Sequence, residues 1–338
     1  MPRDRTADWC GASFPVASRV VTRVLALLLL APALLGTAAL PPLEIDGHER
    51  LLVIAPHPDD ETLAAGGLMQ QVLAAGGSVR VVLLTAGDGY VEAVAQDSGD
   101  PRPKPVEFLA FGERRLGETR GALRLLGNGA IRLTVLGFPD GGLDALLTAH
   151  RDPARPWRSR TTDATHPPYT GEVVNSAVRY DGEDLERELV RILRETRPTL
   201  IVLPDALDRH PDHAAGAIFT LDAVAQWSAE LPKRERPELA AYLIHWPNWP
   251  PGWNAPDQTP RPDAPLELPP DFQRSGKRVV VTLTPEQAAT KIDALSAYAT
   301  QQAAMGQVLD GFARKTEPFT LLDEVLVPKR TPGRGRSK

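Results

Sequence analysis

Leu51-Leu52-Val53-Ile54-Ala55-Pro56-His57-Pro58-Asp59-Asp60-Glu61 is the stretch on which the fold turns. Its first five residues form a continuous apolar run, the pattern of a strand buried on both faces. Pro56 and Pro58 then stop ladder pairing and fix a turn. Residues 62–75 have the composition of a helix, closed by Gly76-Gly77. His57, Asp59 and Asp60 are therefore expected between the carboxyl end of a strand and the amino end of a helix. Open α/β sheets bind their ligands at that place.

A second stretch repeats the layout. Thr199-Leu200-Ile201-Val202-Leu203 is apolar and ends at Pro204, residues 205–213 are polar, and a helix is expected from 214 to about 229. Within the turn, Asp208-Arg209-His210-Pro211-Asp212-His213 sets two histidines three residues apart, a spacing that can aim both at one point. Residues 78–85, 131–136 and 279–283 read as further strands, and 105–126, 184–196 and the segment opened by Pro285 as helices. This alternation predicts an α/β fold: a Rossmann-like, doubly wound, mostly parallel sheet with helices on both faces. Three stretches, about 86–105, 141–181 and 246–276, are too long for plain connections and are expected to be long decorating loops. The last carries Trp246, Trp249 and Trp253 among many prolines, a composition read here as a cover for apolar surface.

Two neutral imidazoles and one carboxylate make a three-ligand site with an open position, the pattern of catalytic zinc. The expected ligands are His57, Asp60 and His213. Fe2+ would suit the same set. A metal so held lowers the pKa of bound water toward ~7 and polarises a carbonyl. Asp59 is then placed as general base, and His210 as the group that stabilises an oxyanion or protonates a leaving group. Asp212 is expected to hold His210 in one tautomer. Cys10 is the sole cysteine, so the ligands have to be His, Asp or Glu.

His57-Pro58-Asp59-Asp60-Glu61 together with His210-Pro211-Asp212-His213 resembles the zinc-dependent de-N-acetylases of the PIG-L/LmbE-like family. That family removes acetyl groups from N-acetylglucosamine units of glycolipids, thiol-precursor glycosides and chitooligosaccharides. The resemblance implies the same metal ligands, with Asp59 as base and His210 as oxyanion partner. It extends to Arg115-Leu116-Gly117-Glu118, whose arginine it makes a substrate contact, and to Phe138-Pro139-Asp140-Gly141, where it gives Asp140 that role. Residues 291–301 match the family's final helix, so the resemblance runs from about 50 to 303. One position departs: some members carry a tyrosine two residues before the His210 equivalent, and here that residue is Asp208.

Composition fits such an enzyme. The formal charge of −5 does not suggest nucleic-acid binding. Arg19 and Arg23 precede an apolar run over residues 24–40 that ends in small residues, so residues 1–40 read as a signal peptide, or as a membrane anchor if uncleaved. The protein is accordingly expected to be exported, periplasmic or extracellular, touching a membrane only through that segment. A single catalytic domain is expected over 45–325, followed by a basic tail over 326–338. The expected function is hydrolysis of an N-acetyl group from an amino sugar or glycoside. Two rivals are a sugar-binding protein that has kept the pocket without catalysis, and an iron enzyme built on two histidines and one carboxylate.

Overall fold

The computed structural model describes residues 40–255 and 258–323. The expected signal segment (apart from Leu40) and the basic tail lie outside the described residues. The apolar run becomes β1 (Arg50–Ala55), and Leu51 to Ala55 are all buried. After it come α1 (Asp60–Ala74), β2 (Ser78–Thr85), α2 (Val91–Ser98), α3 (Pro105–Gly127), β3 (Arg132–Phe138), α4 (Leu143–Leu147) and α5 (Gly182–Thr196). Then follow β4 (Leu200–Pro204), α6 (Pro211–Ser228), β5 (Glu238–Tyr242), β6 (Lys277–Thr282), α7 (Pro285–Ser296), α8 (Ala299–Gly311) and β7 (Thr316–Leu321).

The strands form one sheet in the order β3-β2-β1-β4-β5-β7-β6. β1 is parallel to β2 and to β4, β2 to β3 and β4 to β5, while β7 is antiparallel to both β5 and β6. The sheet is thus mixed but mostly parallel, as expected. Alternation along β1 divides the core: Leu51, Val53 and Ala55 pack on one face, Leu52 and Ile54 on the other. The first face is covered by α1, α3, α7 and α8, through Leu68, Leu123, Leu295 and Leu309 among others. The second is covered by α4, α5 and α6, through Leu146, Leu189 and Phe219. Helices on both faces are the reason β1 and β4 read as unbroken apolar runs.

The chain winds from β1 outward to β3, then returns to lay β4 on the other side of β1. The crevice of a doubly wound sheet opens at such a reversal, at the carboxyl ends of the two strands. The turns after β1 and β4 are the two motif turns, so the topology brings them face to face.

Three details differ from the sequence reading. α6 starts at Pro211, three residues before the expected Ala214, because His210 caps it and proline suits a first helical position. Asp212 and His213 therefore sit in the helix's first turn. The long stretches are not bare loops, since 86–105 contains α2 and 141–181 contains α4, whereas 246–276 has no helix or strand among its described residues. Trp249 in this last stretch is buried and packs edge-on against Phe312, with ring centroids 5.0 Å apart, the covering role expected of it, whereas Trp253 is exposed and does not share that role. β7 was not legible, because Pro318 inside Thr-Glu-Pro-Phe-Thr-Leu argues against an interior strand. Pro318 is tolerated because the pairing with β5 involves only Thr320 and Leu321.

Candidate active site

The turn after β1 folds back on itself. Asp60 Oδ2 accepts the His57 N–H at 2.9 Å, so the carboxylate lies beside the imidazole rather than in solvent. Asp59, between them, has φ 114°, a positive angle that costs a non-glycine residue free energy. Its side chain caps nothing. Glu61, fully buried, holds the strained peptide by accepting the Asp59 N–H on Oε2 at 3.2 Å. Its other oxygen takes a short hydrogen bond from the Tyr298 hydroxyl.

The turn after β4 is organised by Asp208. Its carboxylate accepts the N–H groups of His210, Ile244 and His245, tying the turn to the chain leaving β5. The Asp212 N–H donates to His210 Nδ1 at 3.2 Å, which leaves the His210 proton on Nε2.

The two turns meet at Asp60 Oδ2, which lies 3.3 Å from His57 Nδ1 and 3.1 Å from His213 Nε2. The outer nitrogens face further carboxylates. His57 Nε2 is 3.2 Å from Asp140 Oδ1 and 3.5 Å from Asp212 Oδ2, and His213 Nδ1 is 3.3 Å from Asp208 Oδ2. None of these contacts has the alignment of a hydrogen bond: His57 Nε2 and both His213 nitrogens are buried without a hydrogen-bond partner. Among the described residues, three overlapping groups each have donor atoms within 4.8 Å of one another: His57, His210 and His213; Asp60, His213 and His245; and His57, Asp140 and Asp212. Orphaned imidazole nitrogens around a carboxylate, each histidine backed by a second carboxylate, fit a bound divalent cation. The donor set is nitrogen and oxygen only, as zinc or iron accepts.

Electrostatics bear the same mark. Burial works against charge on His57 and His213, but Asp140 beside the first, and Asp60 and Asp208 beside the second, outweigh it. His57 is held well above the usual histidine range and His213 at about 9. Burial pushes Asp59 up to about 8, with Arg115 opposing. Burial, then His57 and His213, push His210 down to about 4, so it is neutral near pH 7.

His57, Asp59, Arg115, Asp140, His210 and His245 line one cavity of about 370 Å³, whose remaining wall includes Leu63, Ile244, Met305 and Val308. The eight residues expected at the site are thus gathered together, and one of them, Asp212, has other neighbours than foreseen. The Asp212 carboxylate does not hold the His210 ring; it accepts the N–H groups of Gly141 at 2.7 Å and Leu143 at 3.0 Å, and it is the Asp212 backbone that fixes the tautomer. Arg115, expected as a substrate contact, is buried and donates to Gly87 O, Pro58 O and Asp59 Oδ2, the last at 3.1 Å. Asp140 lies against His57 and accepts the Gly89 N–H.

Sequence reasoning missed Asp208, seen there only as a departure at a tyrosine position. His245 follows the apolar run Ala241-Tyr242-Leu243-Ile244, from which it could reach the site, and it lies on the cavity wall. Because Asp208 is the carboxylate behind His213, Asp208→Ala is expected to weaken the affinity for added zinc about 10- to 100-fold, the usual cost of losing such a partner. Competition with a chelator of known affinity reads this; an unchanged affinity would leave Asp208 a loop brace only.

A model of the PIG-L family, described as GlcNAc-PI de-N-acetylase, matches residues 52–224, which include both turns. The chain is 32% identical over 279 residues to the 1D-myo-inositol 2-acetamido-2-deoxy-alpha-D-glucopyranoside deacetylase of Rhodococcus jostii, covering 75% of this chain and 82% of that one. The enzyme of the same description from Rhodococcus opacus is 30% identical over 240 residues, covering 64% of this chain and 73% of its own. The diacetylchitobiose deacetylase of Thermococcus kodakarensis is 26% identical over 216 residues, covering 60% of this chain and 62% of its own. By the match over both motif turns, this chain belongs to the PIG-L family of de-N-acetylases.

Proposed function

We propose that this chain is a zinc-dependent hydrolase that removes the acetyl group from an N-acetylated amino sugar or glycoside. The observation that carries the reading is the meeting of His57 Nδ1 and His213 Nε2 on Asp60 Oδ2, with a carboxylate behind each histidine. His57, Asp60 and His213 would hold the metal, which when bound acidifies a water and polarises the amide carbonyl. Asp59, which a bound cation would keep ionised against the effect of its burial, lies on the cavity wall and accepts the proton as water attacks the carbonyl carbon. Arg115 keeps its carboxylate in place. His210, neutral and carrying its proton on Nε2, donates a hydrogen bond to the oxyanion. The proton held by Asp59 then passes to the leaving nitrogen, and the C–N bond breaks to give acetate and the free amine. The apolar wall of Leu63, Ile244, Met305 and Val308 suits a substituent of the sugar rather than its hydroxyls.

The test is acetate release from N-acetylglucosamine, chitobiose and a glycoside with an apolar aglycone, alongside metal analysis of the same preparation. Acetate with one equivalent of zinc supports the reading. Iron content with oxygen-dependent turnover favours the iron enzyme, and sugar binding without acetate the non-catalytic one. Export of the chain is also proposed, from residues 24–40, and is checked by amino-terminal sequencing of the mature protein.

A pH dependence follows from the raised histidines. A group whose folded pKa is raised stabilises the fold fully below its unfolded value and loses that contribution as pH climbs through the folded one. For His213 that window is from 6.5 to about 9. The metal-stripped chain is expected to lose melting temperature across that window, whereas the zinc-loaded chain, whose ligands are already deprotonated, is expected to hold it. Melting curves with and without chelator decide; a stripped chain indifferent to pH would contradict the protonated pair.

A further inference from the structure

We propose that Lys291 of α7 and Glu317 of β7 are positioning residues: as a buried ion pair spliced into α1, they set the direction of the turn that presents Asp60. The proposal rests on the reading of Asp60 as a metal ligand.

α1 is not continuous. Ala65 has φ −137° and ψ 19°, outside helical values, one turn past Asp60. In an unbroken helix the Gly67 N–H bonds the Leu63 carbonyl and the Leu68 N–H bonds that of Ala64. Here the Gly67 N–H donates to Glu317 Oε1 at 2.7 Å and the Leu68 N–H to Glu317 Oε2 at 2.9 Å. The released Leu63 carbonyl accepts from Lys291 Nζ at 2.9 Å, and Lys291 Nζ donates to Glu317 Oε1 at 2.7 Å. The pair therefore stands where the Gly67–Leu63 backbone hydrogen bond would be. Side chains inserted into the ladder are a known cause of sharp kinks.

The surroundings are built for this insertion. Lys291 is 0% exposed and Glu317 1%, so neither is a surface charge resting on the helix. Gly66 and Gly67 give the space: a Cβ on Gly66 would lie 3.2 Å from Lys291 Cγ, and one on Gly67 2.5 Å from Leu283 Cγ. The segment upstream of the break carries Asp60, Glu61 and Leu63, respectively the meeting point of the two histidines, the brace of Asp59 and a cavity wall. The same C-terminal segment grips this turn a second time through the Tyr298–Glu61 hydrogen bond. Lys291, Tyr298 and Glu317 all lie beyond residues 52–224, the stretch the family model matches.

Stability alone does not account for such a pair. A buried ion pair is often no more stabilising than apolar residues of similar size, since desolvation offsets the attraction. Replacing both partners removes what is inserted and lets the Gly67 N–H return to Leu63. The test is the double variant Lys291→Met/Glu317→Leu in the full chain, with Glu317→Gln as a milder variant that preserves shape. In the folded double variant the zinc dissociation constant is expected to rise, and kcat to fall, each about tenfold or more, with KM unchanged. Amide exchange of residues 57–63 is expected to quicken. Glu317→Gln should move the same quantities in the same direction by a smaller factor. Wild-type zinc affinity, kcat and exchange in either folded variant overturn the proposal. If the wild-type chain neither retains zinc nor releases acetate, the deacetylase reading fails instead, and exchange over residues 57–63 decides on the pair by itself.

Discussion

Asp59→Asn is expected to lower kcat about 10²- to 10⁴-fold, the range for removing a positioned general base, while zinc content stays at the wild-type level. The side chain lines the cavity, caps no helix, and has its partner in Arg115 rather than in either metal-site histidine. Its backbone is held at φ 114° by Glu61, which fixes where the carboxylate points. Asparagine keeps the shape while removing the ability to take a proton and the negative charge that faces Arg115. Metal analysis and kcat on one preparation settle the assignment. Unchanged turnover would place the base elsewhere, and lost zinc would make Asp59 a ligand.

His213→Ala is expected to abolish both bound zinc and acetate release. His213 is fully buried between Asp60 and Asp208, at 3.1 Å and 3.3 Å. Its removal takes away a ligand and deprives two buried carboxylates of one of the partners they face. Breaking a buried pair on one side costs about 3–5 kcal/mol, so a lower melting temperature should accompany the loss. Dialysis followed by metal analysis, with a melting curve, separates the two effects. A variant that melts early but still retains one equivalent of zinc would remove His213 from the ligand set.

The two predictions draw on parts of the molecule that differ in how far they could be read in advance. The strands after which the motif turns come were visible because β1 and β4 are buried on both faces, which leaves an unbroken apolar run in the sequence. His57, Asp59, Asp60, His210 and His213 were visible because chemistry of this kind gathers unusual residue types in short turns. Asp212 shows the limit. Its proximity in sequence to His210 suggested that its side chain held the ring, yet in the first turn of a helix the side chain points away and its backbone N–H does the holding. Arg115 shows it again: the resemblance makes it a substrate contact, and only the packing of α3 beside the β1 turn reveals that it is buried against Asp59.

By itself the sequence determined the alternation of strand and helix, the two turns that bear the chemistry, and the nitrogen and oxygen character of the donor set. These depend on local patterning and residue type, which the chain carries wherever it folds. The tertiary structure alone decided that Asp208 stands behind His213, that His245 joins the cavity, and that Lys291 and Glu317 enter α1 from more than 200 positions away. Such contacts leave no periodicity in the sequence, because they arise only when the sheet order sets the ends of distant elements side by side.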